Sequence, residues 1–563
     1  MSSTGAVVTR KYGSFRGVDY RGDEIHLTRS PDSKNVWRDY KGNFGICTRP
    51  GLTLAEGFDA PIYGIFFYDD SMIVHSGKNI YNINKDERIT IFETAKEAKS
   101  EAFVYDGILY FKDGGNYICY KKGDERAAPV IGYVPVTSIG PISGEGRETF
   151  NEVNLLTAFR KNTFAGDGES KTFQLDAFPI DDETTPEVNN LDTGNSVALE
   201  GFNRQTGVIT FKEAPLASAN KKDNYEVLFC KSGDNYPERI QQCTLLQVFD
   251  NRVFVGGNPK YPNSLWHCKL DDPTYFSDQD VYKEGLDPSL IRGLVAGNNA
   301  IWVFREPSDS NTNVFYHTPT IDSEFGKVYP SQHSSIATGC VGGAINFNDD
   351  IVFFSPEGME GISGSITTEQ FVAHRSSLVD RTLTADNRYR DMVLAEWEGY
   401  LMVFIGDKVY LADSRTAFNN DGHKEYDWYY WELKHNITCA CVHDGELYLG
   451  TANGVYKLSD ISDEKIESYW TTPKDKFNAP NLVKTTNKRG CVVEATGDIT
   501  VYSKTEGTED FTLIGEFNGI KDYFVPRIKE KKFKDIQLKF HSNTRFSLET
   551  ATLEAFIGGY IKR

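Results

Sequence analysis

The sequence predicts an all-β protein: a β-propeller of six or seven blades, with an inserted β-sandwich-like module and a C-terminal β-sandwich. Three observations support this prediction. The composition favours strands and turns, with 36 Phe, 30 Tyr and 49 Gly but only 5 Met. A strand–turn–strand pattern recurs along the chain, and no segment carries the apolar periodicity of a long helix.

The recurring pattern is clearest in VHDGELYLGTANGVYKL, residues 442–458. An apolar run reaches a turn at Asp444-Gly445, a second run follows, and a polar break separates it from a third. The same order appears in FYDDSMIVHSGKNIYNI (67–83), VYDGILYFKDGGNYICY (104–120) and EWEGYLMVFIGDKVYLA (396–412). Looser copies begin at residues 248, 296 and 347, which makes seven units.

The spacing of the units identifies the architecture. From the third turn onward, successive turns lie 48, 51, 49 and 46 residues apart, by subtraction of their residue numbers, and the first two lie 37 apart. Such periods, with several short strands in each unit, are typical of a propeller, in which each small sheet covers its faces with its neighbours. We expect each hairpin to form the inner part of a blade. The turns are predicted near Asp70, Gly107, Asn251, Asn299, Asp350, Gly399 and Gly445.

The bounds of the repeat divide the rest of the chain into an N-terminal segment, an insert and a C-terminal part. Residues 1–52 form an N-terminal segment in which GNFGICTRPGL (42–52) is a candidate closing strand, and the blades occupy residues 53–129 and 242–467. Between them, residues 130–241 contain alternating strands such as NTFAGDGESKTFQL and TGVITFKEAPLA, which indicate an inserted β-module. Residues 468–563 continue with ITVYSKT, FTLIGEF, DIQLKFHS and ATLEAFIGGYIKR, which indicate a C-terminal β-domain. The segment TAKEAKSEAF (94–103) is at most a short helix.

Charge and cysteine usage restrict the function classes. A net charge of −19 excludes wrapping of nucleic acid by simple charge neutralisation, although an acidic protein can line a channel through which DNA passes without sticking. The nine cysteines contain no CxxC pair, and Cys439 and Cys441 are interpreted as core residues. No signal peptide and no apolar run of membrane-spanning length is found, so we expect a soluble protein made in a cytoplasm.

Catalytic and cofactor motifs are absent from the sequence. There is no HExxH, no phosphate-binding GxxxxGK[ST], no EF-hand loop and no GxSxG, and the acidic run PIDDETTPEVNNLD (179–192) is interpreted as a solvated loop. We therefore expect no enzyme, no cofactor and no metal. Carboxylates at the blade turns are attributed to hairpin geometry rather than to a glycosidase pair. These are Asp69, Asp70, Asp106, Asp350 and Asp444.

Two clusters remain as candidate binding features. The aromatic run DWYYWEL (427–433) is predicted to be a buried strand, and the alternative is that Trp428 or Trp431 stacks on a sugar or a base. The basic run RIKEKKFKDIQLKF (527–540) is interpreted either as an edge strand protected by lysines or as a contact for phosphates or an acidic partner. The residues of that contact are Lys529, Lys531, Lys532 and Lys534.

Several short motifs occur in a characteristic order. Near the N-terminus stand Gly17-Val18-Asp19, Ser30-Pro31-Asp32, Asn35-Val36-Trp37 and Arg49-Pro50-Gly51. The insert follows with FAGDGESKTFQL and TGVITFKEAPLA, and the C-terminal part contains WTTPKDKFNAPNLVK and LEAFIGGYIKR. In this combination the chain resembles the packaged-DNA stabilisation, or tail nozzle, proteins of tailed bacteriophages.

The resemblance implies a non-enzymatic virion protein. Such a protein forms a ring, hexameric in this expectation, below the portal and adaptor, and its channel retains and releases the packaged double-stranded DNA. The implied partners are copies of itself, the portal and adaptor proteins, other tail or fibre proteins, and the DNA. The alternative, motivated by the aromatic run and the turn carboxylates, is a glycan-binding or glycan-cleaving propeller acting on the bacterial surface.

Overall fold

The structure is a computed structural model that describes residues 6–22, 25–42, 45–85, 87–310, 312–323, 326–363, 371–420, 423–519, 523–529 and 532–560. Nearly all regular structure in these residues is strand, so the all-β prediction is confirmed. The helices are Glu238–Gln241, Asp380–Leu383 and a 3-10 turn at Tyr389–Asp391, and residues 94–103 contain none. No helix within the described ranges has the length and apolar character needed to cross a membrane.

The described chain contains seven four-stranded antiparallel sheets in sequence order, which are the blades of a β-propeller. Blade 1 consists of the strands Ile62–Tyr68, Ser71–Ser76, Asn79–Asn84 and Glu87–Phe92, and blade 2 of Glu101–Tyr105, Ile108–Lys112, Tyr117–Lys121 and Ala128–Pro129. Blade 3 consists of Leu245–Phe249, Arg252–Gly256, Ser264–His267 and Val281–Lys283, and blade 4 of Ile291–Gly297, Ala300–Arg305, Val314–His317 and Ser331–His333. Blade 5 consists of Ala344–Phe347, Asp350–Ser355, Gly358–Ser363 and Phe371–His374, and blade 6 of Val393–Trp397, Tyr400–Ile405, Lys408–Asn420 and His423–Glu432. Blade 7 consists of Cys439–His443, Glu446–Gly450, Gly454–Ser459 and Gly51–Gly57. A small hairpin, Thr320–Asp322 with Gly326–Val328, interrupts blade 4.

One tight turn repeats between the first and second strands of blades 2 to 7. Its two central residues have positive φ, as in Asp444-Gly445 with φ of 50° and 78° and Asn298-Asn299 with 52° and 57°. A two-residue turn with both φ positive matches the twist of a hairpin, and Asp, Asn and Gly reach this conformation at least cost. In blade 5 the turn is Asn348-Asp349, so the turn predicted near Asp350 lies one residue earlier.

The second strand of each blade explains why the repeat is visible in the sequence. In blades 3 to 6 every residue of this strand is buried. A strand covered on both faces reads as a continuous apolar run rather than as an alternating one. The repeated sequence therefore marks the turn and the second and third strands of a blade.

The last blade is completed by an N-terminal strand, but not by the whole segment predicted. Gly51–Gly57 pairs antiparallel with Gly454–Ser459. The preceding strand Ile46–Thr48 pairs instead with Phe546–Tyr560. The prediction that residues 42–52 supply the closing strand is therefore wrong for residues 46–48, which belong to the C-terminal sandwich.

The chain divides into two compact units, Phe66–His333 and the combination of Met1–Ile65 with Ser334–Arg563. The first unit contains the inserted module, whose core includes Phe164, Phe173, Ile209 and Val227. Its six-stranded sheet has the order Glu148–Thr149, Val136–Ile139, Phe159–Phe164, Tyr225–Cys230, Glu187–Asn190 and Ser196–Val197, and its three-stranded sheet the order Thr172–Gln174, Val208–Phe211 and Leu199–Asn203.

The second unit contains the C-terminal sandwich, and N-terminal strands complete both of its sheets. The seven-stranded sheet has the path Val36–Trp37, Ile46–Thr48, Phe546–Tyr560, Leu482–Thr485 and Lys532–Phe533, with Ala6–Tyr12 and Cys491–Gly497 also paired to Phe546–Tyr560. The five-stranded sheet has the order Ser33–Lys34, Ser468–Thr471, Ile536–Ser542, Ile499–Thr505 and Thr512–Phe517. One continuous core joins these sheets to blades 6 and 7.

Candidate functional site

The predicted basic site lies at an edge of the C-terminal sandwich. Lys529, Lys532 and Lys534 are exposed, and Lys531 lies outside the described residues. Lys532 is in the edge strand of the seven-stranded sheet, as the edge-protection interpretation expects. A contact of these lysines with phosphate or with an acidic partner stays a prediction.

The aromatic run is buried. Trp428 and Trp431 have no exposed surface, and their indole nitrogens donate to the carbonyl oxygens of Arg375 and Val36. The interpretation of a buried strand is confirmed, and stacking of a sugar on either ring would require blade 6 to open.

The turn carboxylates have structural roles. Asp69, Asp106 and Asp444 occupy turn positions with φ between 46° and 52°. Asp350 is buried, forms an ion pair of 2.9 Å with Arg375, and accepts a 2.7 Å hydrogen bond from the hydroxyl of Tyr426. The φ values agree with the hairpin interpretation for Asp69, Asp106 and Asp444, whereas Asp350 lies in the second strand of blade 5 and not in its turn.

No cluster of three or more metal-ligating side chains occurs within the described ranges. All nine cysteines are free, and Cys439 is buried. In the acidic run, the carboxylate of Asp181 accepts hydrogen bonds from Ser232 and Cys230.

The N-terminal motifs converge on a single feature, which we call the latch. It comprises the Gly17, Ser30, Asn35 and Arg49 motifs together with Arg16 and Arg29. The first contact is made by Gly17-Val18, where the amide of Val18 donates a 2.6 Å hydrogen bond to the carbonyl oxygen of Trp428. Gly17 has φ of 76°, and a Cβ atom there would lie 1.8 Å from the same oxygen, so only glycine permits this approach.

A buried carboxylate in blade 6 binds two arginines of the latch. Asp427 has no exposed surface, and its two oxygens accept hydrogen bonds of 2.7 Å from Arg16 and 2.8 Å from Arg29. The Arg29 guanidinium also lies 4.4 Å from the ring centre of Phe418. A charge buried this deeply is stable only when it is paired, so the strand and the N-terminal segment depend on each other.

The Asn35 and Arg49 motifs bind blade 6 and the segment between blade 7 and the sandwich. Asn35, with φ of 57°, donates to the carbonyl of Glu467 and accepts from the amide of Glu432. The guanidinium of Arg49 is buried, donates to Asn35, and forms a 3.0 Å ion pair with Glu464. Although burial would raise the pKa of Glu464, its contacts with Arg49 hold that pKa below the ordinary value.

Two further motif residues fasten the latch. Ser30 donates a 2.7 Å hydrogen bond to the carbonyl of Thr471, which is in the sandwich. Trp37 stacks on Trp397 with ring centres 5.4 Å apart and meets Trp431 edge-on at 5.5 Å. The conclusion from these contacts is that the four motifs together bind blade 6, the segment that follows blade 7, and the sandwich.

A second polar cluster lies in blade 5. His374 donates to Glu360 over 2.9 Å and to Asp380 over 2.6 Å, and Ser376 donates to the other oxygen of Asp380. Burial alone would lower the pKa of His374, but the two carboxylates raise it to about 10. The imidazole is therefore charged at neutral pH and joins blade 5 to the helix Asp380–Leu383.

Sequence reasoning did not predict the partners of the latch. Arg16, Arg29, Asp427 and Glu464 take part in its ion pairs, and no motif in the sequence marked them as partners. One clue was available: Asp427 begins the aromatic run 427–433, and a charged residue in a buried strand needs a partner.

No protein-family model and no curated protein matches the chain. Among solved structures it is similar to BamB from Moraxella catarrhalis, with 12% identity, coverage of 75% of this chain and 99% of that chain, and a TM-score of 0.34. The Pan2 WD40 domain of Neurospora crassa gives 8% identity, coverage of 75% and 96%, and a TM-score of 0.25. The exo-β-1,3-galactanase of Phanerochaete chrysosporium gives 9% identity, coverage of 55% of this chain and 94% of that chain, and a TM-score of 0.22. At TM-scores this low, the activities of these proteins do not transfer to this chain.

Proposed function

We propose that the chain is a structural subunit of a phage tail, which forms a ring below the portal and adaptor and surrounds a channel for packaged DNA. The observation that carries the proposal is the latch. The N-terminal motifs that give the resemblance to tail nozzle proteins are the same residues that bind blade 6, the segment that follows blade 7, and the sandwich.

The contacts of these motifs are architectural. A catalytic motif brings reactive groups to an accessible site, whereas Gly17, Asn35 and Arg49 use their atoms to bind other parts of the chain. Buried ion pairs and close-packed aromatic rings resist deformation. Resistance to deformation is what a subunit needs if it retains DNA packaged under pressure.

The net charge supports passage of DNA rather than tight binding. At −19, the chain as a whole repels phosphate, so DNA in a channel built from it would slide. The proposed partners are copies of the chain, the portal and adaptor, other tail or fibre proteins, and the packaged DNA, and the proposed location is the virion after assembly in the host cytoplasm.

The test is assembly of the purified full chain, alone and with its portal and adaptor, measured by mass photometry and negative-stain microscopy. We expect ring-shaped particles, hexameric in mass, that attach to the portal–adaptor complex. A chain that stays monomeric and never joins that complex would overturn the proposal. Specific glycan binding or hydrolysis by such a monomer would favour the surface-glycan alternative instead.

A further inference from the structure

An exposed strip in the C-terminal sandwich combines apolar and basic side chains. The extended segment 523–529 alternates strictly, with Phe524, Pro526 and Ile528 turned inward and the residues between them turned outward. The amide of Arg527 donates to the carbonyl of Ile514, which holds the segment along the edge strand Thr512–Phe517. We call the outward residues the strip: Tyr523, Val525, Arg527 and Lys529.

The strip has the character of a binding surface rather than of an ordinary edge. Tyr523 is 64% exposed and Val525 is 40% exposed. Within the described parts of the chain, neither Arg527 nor Lys529 has an ion-pair partner, although many other cations of this acidic protein do. Aromatic and arginine side chains together are typical of the centre of a protein interface.

A groove in the inserted module could receive the strip, because it has exposed aromatic side chains and carboxylates. It is lined by Phe159, residues 179–184, Gln205 and residues 230–232. Phe178 immediately precedes this lining in the chain. Phe159 and Phe178 are 42% and 53% exposed, which is unusual for phenylalanine in a folded module.

The groove also carries the opposite charge. Asp182 is almost fully exposed and lies 3.5 Å from Arg204, and Glu183 is exposed beside it. Burial opposes ionisation of Asp181, yet hydrogen bonds from Ser232 and Cys230 hold its pKa below the ordinary value, so this carboxylate is charged. The groove therefore offers the aromatic ring of Phe159 and three carboxylates, those of Asp181, Asp182 and Glu183, against one cation in its lining, Lys231.

We infer that the strip of one copy binds the module groove of a neighbouring copy. This inference rests on the proposed function, because it names the surfaces through which the ring would form. Two different surfaces of one chain make a head-to-tail contact, and a contact of this type closes into a ring when its rotation permits. Tyr523 and Val525 would pack on the phenylalanines while Arg527 and Lys529 meet Asp182 and Glu183.

The test uses two charge-reversal variants of the full chain. One carries Arg527→Glu with Lys529→Glu, and the other carries Asp182→Lys with Glu183→Lys. In either variant alone, strip and groove carry like charge, so we expect the association constant to fall by about tenfold or more, the effect of one to two exposed charge pairs. In an equimolar mixture each strip again meets a groove of opposite charge, and we expect alternating rings to form.

The matched control is Lys474→Glu with Lys488→Glu, two exposed lysines of the same sandwich, which should leave assembly unchanged. Thermal unfolding of each variant verifies folding. Rings that form equally well in both variants would overturn the inference and leave the proposed function intact, and so would a mixture that fails to restore them. A wild-type chain that forms no ring, alone or with portal and adaptor, would overturn both.

Discussion

The amide of Val18 and the carbonyl oxygen of Trp428 are 2.6 Å apart, a hydrogen bond that joins the N-terminal segment to the edge strand of blade 6. The two residues are distant in the sequence, and the approach is possible because Gly17 precedes Val18. Trp428 is fully buried and donates in turn to Arg375 of blade 5. The contact therefore connects the latch to two blades.

Replacement of Gly17 by alanine should destabilise this contact. The new Cβ atom would overlap the Trp428 carbonyl, and φ of 76° is strained for alanine, so we expect a loss of about 3 kcal/mol or more in the free energy of unfolding. Urea unfolding measures this loss. Gly507 is the control, because its φ is also positive but nothing lies within 4 Å, and Gly507→Ala should cost about 1 kcal/mol. Equal losses in the two variants would contradict the overlap.

Removal of the charge of Asp427 should be costly. Asp427→Asn leaves Arg16 and the mostly buried Arg29 without a counter-ion, so we expect a loss of about 3 kcal/mol in the free energy of unfolding. The control is Glu93→Gln, which breaks an exposed pair with Arg126 and should cost less than about 0.5 kcal/mol. A loss at Asp427 no larger than that at Glu93 would show that the two arginines do not depend on this carboxylate.

Arg49→Lys tests whether the latch needs a guanidinium. Arg49 donates to Asn35, Glu464 and two backbone carbonyls at once, and one ammonium group cannot reproduce that planar geometry. We expect a loss of about 2 kcal/mol, measured by chemical unfolding. Arg126→Lys, at an exposed pair, should be neutral, and a neutral Arg49→Lys would mean that charge alone suffices.

The His374 cluster predicts a pH dependence of stability. An unfolded histidine has a pKa of about 6.5, and the folded value is raised to about 10. The stability that the cluster contributes is therefore fully present below pH 6.5 and is lost as the pH rises toward 10. Between pH 7 and pH 9 we expect the urea midpoint of the wild type to fall.

The same pH series on His374→Gln measures how much of the pH dependence of stability comes from the His374 cluster. This variant should be less stable at pH 7 and should show a flatter slope up to pH 9. His26→Gln, at an exposed histidine, should keep the wild-type slope. A slope that is unchanged in His374→Gln would assign the pH dependence to other groups.

The turn between the first two strands of a blade, which made the repeat visible in the sequence, can be tested at Gly445. Gly445 has φ of 78° and open space around it, so Gly445→Ala should cost about 1 kcal/mol through backbone strain alone. Gly445→Asn should cost less, because asparagine tolerates this conformation. Thermal or urea unfolding of the pair measures the difference, and an alanine variant as stable as the asparagine variant would contradict the turn assignment.

The sequence predicted the blades well because their signals are local. A two-residue turn such as Asp106-Gly107 and the apolar strand after it depend on residues next to each other in the chain. The strands of the insert and of the C-terminal sandwich were also recognised from alternation. The basic run was predicted as an edge strand, and Lys532 lies in such a strand.

The sequence by itself determined the seven repeats, their turn chemistry and the β-rich character of the segments around them, since turn conformation and strand burial leave a mark within a few residues. The tertiary structure decided where the N-terminal motifs bind. Arg16 and Asp427 are 411 residues apart, and no short-range pattern links them. Their pairing follows from the burial of one carboxylate in blade 6, which requires a cation from whichever segment passes over it.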